Sequence, residues 1–165
     1  DGVKKVGVFV DPDLETLRRT LDAIALDVIQ LHGNESADDI KNFRDDTGLP
    51  VMKAVSISSR VDVEAAHGFE SAADALLFDA KPPADDLDLL PGGNGLAFDW
   101  NLLAEESWGV PWGLSGGLTP ENVGEAIVTS SAGFVDVSSG VEDSPGVKNP
   151  DRIKAFLRAV EEVVG

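Results

Sequence analysis

Two short apolar runs in the last third of the chain stop at small residues that could bind an anion. Residues 112–117 read Trp-Gly-Leu-Ser-Gly-Gly, and residues 134–140 read Phe-Val-Asp-Val-Ser-Ser-Gly. Glycine lets the backbone approach a ligand closely, and free N–H groups that open a helix attract anions. The N–H groups that we expect to bind the anion belong to Gly116, Gly117, Ser138, Ser139 and Gly140. Either turn alone is typical of a capped tight turn, whereas the two together favour a phosphate site.

Three polar side chains at predicted strand ends are further candidates for ligand contacts. Gln30 and His32 lie two residues apart in the run 28–33, and Asp136 lies beside the second turn. The alternative for His32 is a hydrogen-bonded structural histidine, and the alternative for Gln30 is a polar position in the core. The carboxylate of Asp136 would repel a phosphate unless it binds sugar hydroxyls.

Three charged residues lie in or beside two other strands. Lys53 lies inside a strand, where a paired structural lysine is favoured over a substrate contact. Asp79 and Lys81 flank the start of a long segment and could form an ion pair.

Asp99 is the candidate acid of the chain. It lies between Phe98 and Trp100, where we expect its carboxyl group to be partly shielded from water. A carboxyl group whose pKa is raised by its site can act as a general acid. Asp99 also precedes Leu102 and Leu103, and the residues alone favour it as the N-cap of their helix.

The segment 80–96 is rich in proline, aspartate and glycine and is long for a connection within a compact domain. Gly92, Gly93 and Gly95 lie in it and could cradle a phosphate, although their spacing alone supports such a site weakly. We favour a mobile lid over the ligand, because the two later turns serve a phosphate better.

Apolar runs alternate with amphipathic segments throughout, which predicts six strand–helix units in a single domain over residues 1–165. Strands are predicted at 5–10, 28–33, 51–57, 75–79, 112–115 and 134–137, and helices at 14–24, 36–43, 63–69, 99–107, 120–128 and 150–164. In the last helix Ile153, Phe156, Leu157 and Val160 are predicted to face inward. The alternation indicates an α/β fold with a parallel sheet. An open doubly wound sheet would fit six units, but polar and glycine-rich strand ends favour a (β/α)8 barrel with six of its eight units.

Acidic residues dominate the charge, with 30 Asp and Glu against 13 Lys and Arg and a net charge of −17. Such a field repels nucleic acid and anionic membranes, so neither is an expected partner. The acids are spread along the whole chain, which favours adaptation to a salty cytoplasm, as in a halophilic archaeon, over an ordinary acidic surface. The chain has no cysteine and two histidines, which excludes disulfides, thiolate zinc sites and histidine-rich metal sites.

Four segments together resemble the phosphoribosylanthranilate isomerase family of tryptophan biosynthesis. They are residues 28–35 with Gln-Leu-His-Gly, 90–100 ending in Phe-Asp-Trp, 115–123, and 135–148 with Ser-Ser-Gly-Val-Glu. They occur in the family's order and cover essentially the whole chain. Singly, the glycine motifs are shared by many phosphate-binding barrels, whereas their combination is specific.

The resemblance implies a (β/α)8 barrel enzyme that needs no metal or organic cofactor and acts as a monomer or homodimer. Its reaction is an Amadori rearrangement of N-(5'-phosphoribosyl)anthranilate to 1-(2-carboxyphenylamino)-1-deoxyribulose 5-phosphate, the third step of tryptophan synthesis from chorismate. Asp99 matches the family's general acid, and the role that it implies for Asp136 is contact with sugar hydroxyls.

The chain departs from the family's pattern in its first part. Members begin with a strand carrying Lys-x-Cys-Gly, whose cysteine is the general base, and an arginine after their second strand holds the anthranilate carboxylate. Neither feature is found in this sequence. We therefore expect the chain to correspond to the C-terminal three quarters of the enzyme, to isomerise poorly or not at all alone, and to associate. The alternatives are a non-catalytic phosphate-binding fragment and another sugar-phosphate barrel enzyme, such as an epimerase or indole-glycerol-phosphate synthase.

Overall fold

A computed structural model describes residues 2–81 and 98–165 as strands that alternate with helices. The strands are β1 (Val6–Phe9), β2 (Val28–Leu31), β3 (Val51–Ile57), β4 (Ala75–Ala80), β5 (Trp112–Leu114), β6 (Phe134–Val135), β7 (Glu142–Ser144) and β8 (Val147–Lys148). The helices are α1 (Leu14–Ala23), α2 (Ala37–Thr47), α3 (Arg60–Ala66), α4 (Asn101–Ala104), α5 (Val123–Ser130) and α6 (Pro150–Val164). Two short 3-10 helices, His67–Phe69 and Ser139–Val141, follow α3 and β6. All six predicted strands of the main sheet are confirmed.

The main sheet is parallel, and its strands lie in the order β1-β2-β3-β4-β5-β6. A doubly wound sheet reverses its strand order at a switch point, and these six strands do not. Val8 of β1 and Asp136, just after β6, line the same cavity. The sheet therefore curls around that cavity as the wall of a barrel does, which favours the barrel over the open sheet.

Local signals in the sequence set the bounds of several helices. The hydroxyl of Ser36 accepts the N–H of Asp39, and the Asp39 carboxylate accepts the N–H of Ser36 in return, so α2 begins with a capping box. Gly48 ends α2 in the left-handed region at φ 69°. Asn149 caps α6 through its side-chain oxygen, and Pro150 occupies the first turn.

The core lies between the sheet and the helices that cross from one strand to the next. It includes Leu17 of α1, Ile40 of α2, Val63 of α3 and Phe156 of α6. Five of the six residues of β4 are buried, as expected of a central parallel strand. The sheet therefore has the rigidity to hold the residues that follow its strands.

Two predictions about helices need correction, and one hairpin was not predicted. The helix predicted over 99–107 is reduced to the four residues of α4, and the β7–β8 hairpin was not predicted. Ile153 and Leu157 were predicted to face inward, but they are 37% and 55% exposed. The reason is that α6 packs on α5 and on the 139–141 turn through a narrow face that carries Phe156.

The predicted lid residues Gly92, Gly93 and Gly95 lie outside the described residues. Within residues 2–81 and 98–165, no helix is both long and apolar enough to cross a bilayer.

Candidate active site

A cavity of about 350 Å³ opens where the strands of the curled sheet end. Residues from β1, β2 and β4 and from the segments after β5 and β6 line it, so both edges of the sheet contribute. The lining residues are Val8, Gln30, His32, Asp79, Ser115, Gly116, Gly117, Leu118, Asp136, Val137, Ser138, Ser139 and Gly140. The predicted turns, Gln30, His32 and Asp136 are therefore brought together.

The turn after β5 depends on two glycines in the left-handed region, Gly116 at φ 79° and Gly117 at φ 64°. A Cβ at Gly116 would lie 2.5 Å from the backbone nitrogen of Ala80 and from Oδ1 of Asp79. Both the backbone conformation and the space therefore require glycine at position 116. The backbone of this turn is packed directly onto the end of β4.

The turn after β6 leads into the 3-10 helix Ser139–Val141. A Cβ at Gly140 would overlap the carbonyl oxygen of Leu118, so the two turns touch through their backbones. In the described part of the chain, the N–H groups of Gly116, Gly117, Ser139 and Gly140 have no acceptor. The two turns therefore lie side by side, while their binding of an anion stays a prediction.

Two cations hold the second turn, and sequence reasoning gave neither a role. Nζ of Lys148 donates to the carbonyl of Ser138 at 2.8 Å, to its Oγ at 3.1 Å and to Oε1 of Glu142 at 2.7 Å. Nη1 of Arg152 donates to the carbonyl of Gly140 at 3.3 Å. The one signal for Lys148 was its place in the 135–148 motif. Both positive charges lie beside the free N–H groups.

A chain of three hydrogen-bonded side chains also lines the cavity. Nε2 of His32 lies 3.1 Å from Oδ2 of Asp79, and Nδ1 of His32 lies 3.3 Å from Nε2 of Gln30. The side chains of His32 and Asp79 are 11% and 5% exposed. Sequence reasoning missed Asp79 because its partner lies two strands away across β3.

Asp136 lies at the mouth of the cavity. Solvent reaches this residue, yet surrounding atoms partly desolvate its carboxyl group. This desolvation, followed by the charge of Asp79, raises the pKa of Asp136, and His32 and Lys148 oppose the shift only in part. The cavity therefore holds negative charge that it does not fully compensate.

Lys53 lies behind the cavity wall in a buried ion pair. Its Nζ is 3.0 Å from Oε2 of Glu35 and donates to the carbonyls of Gly33 at 2.7 Å and Ala54 at 2.9 Å. Glu35 also accepts the N–H groups of Asp11 at 2.9 Å and Gly33 at 3.1 Å. The pair joins the loops after β1 and β2, and the structural interpretation of Lys53 is confirmed.

The suggested ion pair between Asp79 and Lys81 is wrong. Lys81 lies just beyond the end of β4 and pairs with Asp62 at 3.0 Å, whereas Asp79 turns inward to His32. Within residues 2–81 and 98–165, no cluster of three or more His, Cys, Asp or Glu side chains could hold a metal ion.

Asp99 does not line the cavity in this arrangement and is exposed, contrary to the expected partial shielding. Its Oδ1 accepts the backbone N–H of Asn101 at 3.0 Å and the side-chain N–H of Asn101 at 2.8 Å. It therefore supports the start of α4 as a capping residue would, and its role as an acid stays a prediction.

Residues 1–159 match the model of the N-(5'-phosphoribosyl)anthranilate (PRA) isomerase family. The chain belongs to this family. A PRA isomerase of Paracoccus denitrificans is 56% identical over 156 residues, which are 94% of the chain and 72% of that relative. The PRA isomerase of Paramagnetospirillum magneticum is 52% identical over 157 residues, 95% of the chain and 72% of the relative.

Solved PRA isomerase structures match the fold as well. That of Thermotoga maritima superimposes with a TM-score of 0.82 at 34% identity, over 97% of the chain and 74% of the Thermotoga chain. A PRA isomerase in complex with reduced 1-(o-carboxyphenylamino)-1-deoxyribulose 5-phosphate superimposes with a TM-score of 0.78 at 32% identity, over 97% and 72% of the two chains. The barrel fold expected from the sequence is confirmed.

Proposed function

We propose that this protein isomerises N-(5'-phosphoribosyl)anthranilate to 1-(2-carboxyphenylamino)-1-deoxyribulose 5-phosphate in tryptophan synthesis. The observation that carries the proposal is the convergence of two strand-end turns and Asp136 on one cavity of about 350 Å³. A sugar phosphate needs an anion site and polar groups for its hydroxyls, and this cavity provides both. Membership of the PRA isomerase family supports the same conclusion.

The phosphate would bind the N–H groups of Gly116, Gly117, Ser139 and Gly140, with Ser138 at the start of the second turn. The contact between Gly140 and Leu118 keeps these donors in one fixed arrangement. Lys148 and Arg152 supply positive charge beside them. Preorganised donors of this kind bind an anion without reorganising on contact.

The sugar would lie toward Asp136, Gln30 and His32. The carboxylate oxygens of Asp136 can accept hydrogen bonds from sugar hydroxyls. Gln30 and His32 line the same cavity as the turns.

The chemical steps begin with the acid assigned to Asp99. Its proton passes to the furanose ring oxygen, the ring C–O bond breaks, and a Schiff base forms. A base then removes the C2′ proton, and the enolamine tautomerises to the ketone. Among the described residues Oδ2 of Asp99 has no hydrogen-bond partner, which leaves it free to carry the proton. The sequence contains no cysteine, so no thiol of these residues supplies the base.

Turnover of phosphoribosylanthranilate by the intact protein tests the proposal. Replacing the acid in Asp99→Asn should lower kcat by about 10²- to 10⁴-fold, the usual contribution of a general acid. Asp45→Asn, an exposed aspartate of α2, is the matched control and should leave kcat unchanged. Full activity of Asp99→Asn would overturn the assignment of the acid, and no turnover even when a strand with the family's Lys-x-Cys-Gly motif is supplied ahead of these residues would overturn the function.

A second candidate function is phosphate binding without isomerisation. The absence of cysteine and the position of Asp99 outside the cavity favour it. A titration with inorganic phosphate, followed by thermal melting, separates the two candidates. Phosphate stabilisation together with turnover indicates the isomerase, and phosphate stabilisation without turnover indicates the binding module.

The cellular setting is also proposed. An enzyme of amino-acid synthesis is expected in the cytoplasm as a monomer or homodimer, without nucleic acid as a partner. The net charge of −17 supports adaptation to high salt, because screening relieves repulsion among carboxylates. The melting temperature should then rise as potassium chloride is added to dilute buffer, and a flat or falling melting temperature would contradict the adaptation.

A further inference from the structure

Asp79 is a buried carboxylate on the cavity wall to which the steps above give no role. Its residue is 3% exposed at the end of β4. Oδ1 accepts the backbone N–H of Ala80 at 2.8 Å, and Oδ2 lies 3.1 Å from Nε2 of His32. Among the described residues no lysine or arginine pairs with it. A buried carboxylate without a cation is destabilising unless hydrogen bonds satisfy it, so its partners are informative.

Both ring nitrogens of His32 have hydrogen-bond partners, and these partners select one tautomer of the ring. An ionised carboxylate only accepts hydrogen bonds, so Nε2 of His32 must carry the proton that Oδ2 of Asp79 accepts. Nδ1 of the neutral ring is then an acceptor, and the nearest donor is the side-chain amide of Gln30 at 3.3 Å. That distance is long for a hydrogen bond, so Nδ1 can exchange this donor for a better one.

We propose that Asp79 is a positioning residue that fixes His32 as the Nε2–H tautomer, so that Nδ1 accepts a hydrogen bond from an O–H or N–H group of the ligand. The identity of the ligand rests on the proposed function. In phosphoribosylanthranilate, both the ribose hydroxyls and the anthranilate amine carry a hydrogen that Nδ1 could accept. Gln30 occupies the position of that donor until the ligand arrives.

The substitution Asp79→Asn should invert this arrangement. The N–H of Ala80 continues to require an acceptor, so it selects the oxygen of the new amide. The NH₂ group of that amide then faces Nε2 of His32, which must become the acceptor. The proton moves to Nδ1, where it meets Gln30, and the cavity loses its acceptor.

Nitrogen-15 NMR of the imidazole rings in the intact protein tests the tautomer directly. The His67→Gln variant identifies which signals in this sequence belong to His67. At neutral pH, His32 should show a protonated Nε2 and an unprotonated Nδ1, and Asp79→Asn should exchange the two. Asp62→Asn removes another carboxylate near the end of β4 that pairs with Lys81, and it should leave the tautomer unchanged.

Kinetics supply the second readout. Loss of one ligand hydrogen bond in Asp79→Asn should lower kcat/KM about tenfold. Inorganic phosphate, which binds the turns rather than His32, should bind Asp79→Asn as it binds the unchanged protein. Asp62→Asn should keep kcat/KM.

The outcomes separate this inference from the function. A cationic His32 ring, an Nδ1–H tautomer in the unchanged protein, or a tautomer unaffected by Asp79→Asn would overturn the positioning role. Failure to turn over phosphoribosylanthranilate even with the family's Lys-x-Cys-Gly strand supplied would overturn the proposed function, while the tautomer result would still decide the part played by Asp79.

Discussion

Two pairs of polar side chains lie in or just after β2, β3 and β4, and they differ in how their charges are compensated. In the first, Lys53 meets Glu35 and two carbonyls, and Glu35 also accepts backbone N–H groups. In the second, the Asp79 carboxylate has two hydrogen-bond partners, the backbone N–H of Ala80 and Nε2 of His32. The first pair lies behind the cavity wall and the second lines the cavity.

The difference shows which buried polar groups support the fold and which remain available to a ligand. A complete set of partners leaves the Lys53–Glu35 pair with nothing to offer a ligand, and it joins two loops instead. The His32–Asp79 pair keeps a weakly occupied acceptor and lies near a second carboxyl group, Asp136. Sites that bind ligands commonly retain such incompletely satisfied groups at the expense of stability.

The largest effect is expected from breaking the fully compensated pair. Lys53→Met leaves the carboxylate of Glu35 buried without its cation, which should lower the free energy of unfolding by about 3–5 kcal/mol. Lys154→Met removes an exposed lysine of α6 and should change the free energy of unfolding by less than about 1 kcal/mol. Urea unfolding measures both, and equal effects of the two substitutions would remove the distinction between a buried and a surface pair.

A smaller loss should follow from disturbing the cavity pair through its neighbour. Gly116→Ala places a Cβ 2.5 Å from Oδ1 of Asp79, whereas Gly48→Ala, at a similar φ of 69°, meets no atom within 4 Å. Both variants carry the backbone strain, so their difference isolates the contacts with Asp79 and Ala80 at the end of β4. We expect Gly116→Ala to be less stable than Gly48→Ala by about 1–3 kcal/mol and to bind phosphate more weakly. Equal stability and unchanged phosphate binding would show that these contacts are unimportant.

The negative charge of Asp136 should make the stability of the fold depend on pH. Because its pKa is raised in the folded state above 3.8, ionisation of Asp136 destabilises the fold, and this destabilisation disappears as the pH falls through the raised pKa. Asp136→Asn should therefore stabilise the protein at pH 7, by less than about 1 kcal/mol because solvent screens the group. Melting temperatures between pH 4 and about pH 7 measure the effect. Asp45→Asn is the control and should leave the pH dependence unchanged.

The smallest effect belongs to the surface histidine. His67 lies between Glu70 and Glu106, and its hydrogen bond to Glu70, followed by that to Glu106, raises the pKa of His67 above 6.5 although partial burial opposes the shift. Its stabilisation should be complete below the unfolded pKa and should disappear as the pH rises through the raised folded pKa. The expected change is below about 1 kcal/mol.

Trp108 stacks on His67 with ring centroids 4.1 Å apart and provides a fluorescence signal for this transition. In the control variant His67→Gln the same pH dependence of unfolding should be absent. An unaltered dependence would assign the effect to another group.

Local patterns predicted the strands and the two turns well. The run 51–57 is apolar throughout most of its length and follows Pro50, so β3 was predicted with both its ends. The glycines of the 116–117 turn were recognised because the backbone freedom of glycine is a property of the residue type and can be read from the sequence alone. Both glycines have a positive φ in the structure. By contrast, α4 was predicted too long, since helical preference over 99–107 did not show where packing would end the helix.

Contacts between distant residues could not be predicted. Asp79 and His32 are 47 residues apart and meet only because the sheet curls. Lys81 was matched with Asp79 by proximity in the sequence, whereas its partner Asp62 lies in α3. The lid prediction for Gly92, Gly93 and Gly95 and the acid prediction for Asp99 stay predictions.

The backbone contact between Gly140 and Leu118 has a consequence for amide exchange. Because no side chain separates the two turns, neither can open far without displacing the other, and they should fluctuate as one unit. Their amide hydrogens should then exchange with solvent at similar rates in the free protein. Inorganic phosphate bound between the turns should slow exchange in both together, because it supplies the acceptor that the N–H groups of Gly116 and Gly140 lack among the described residues.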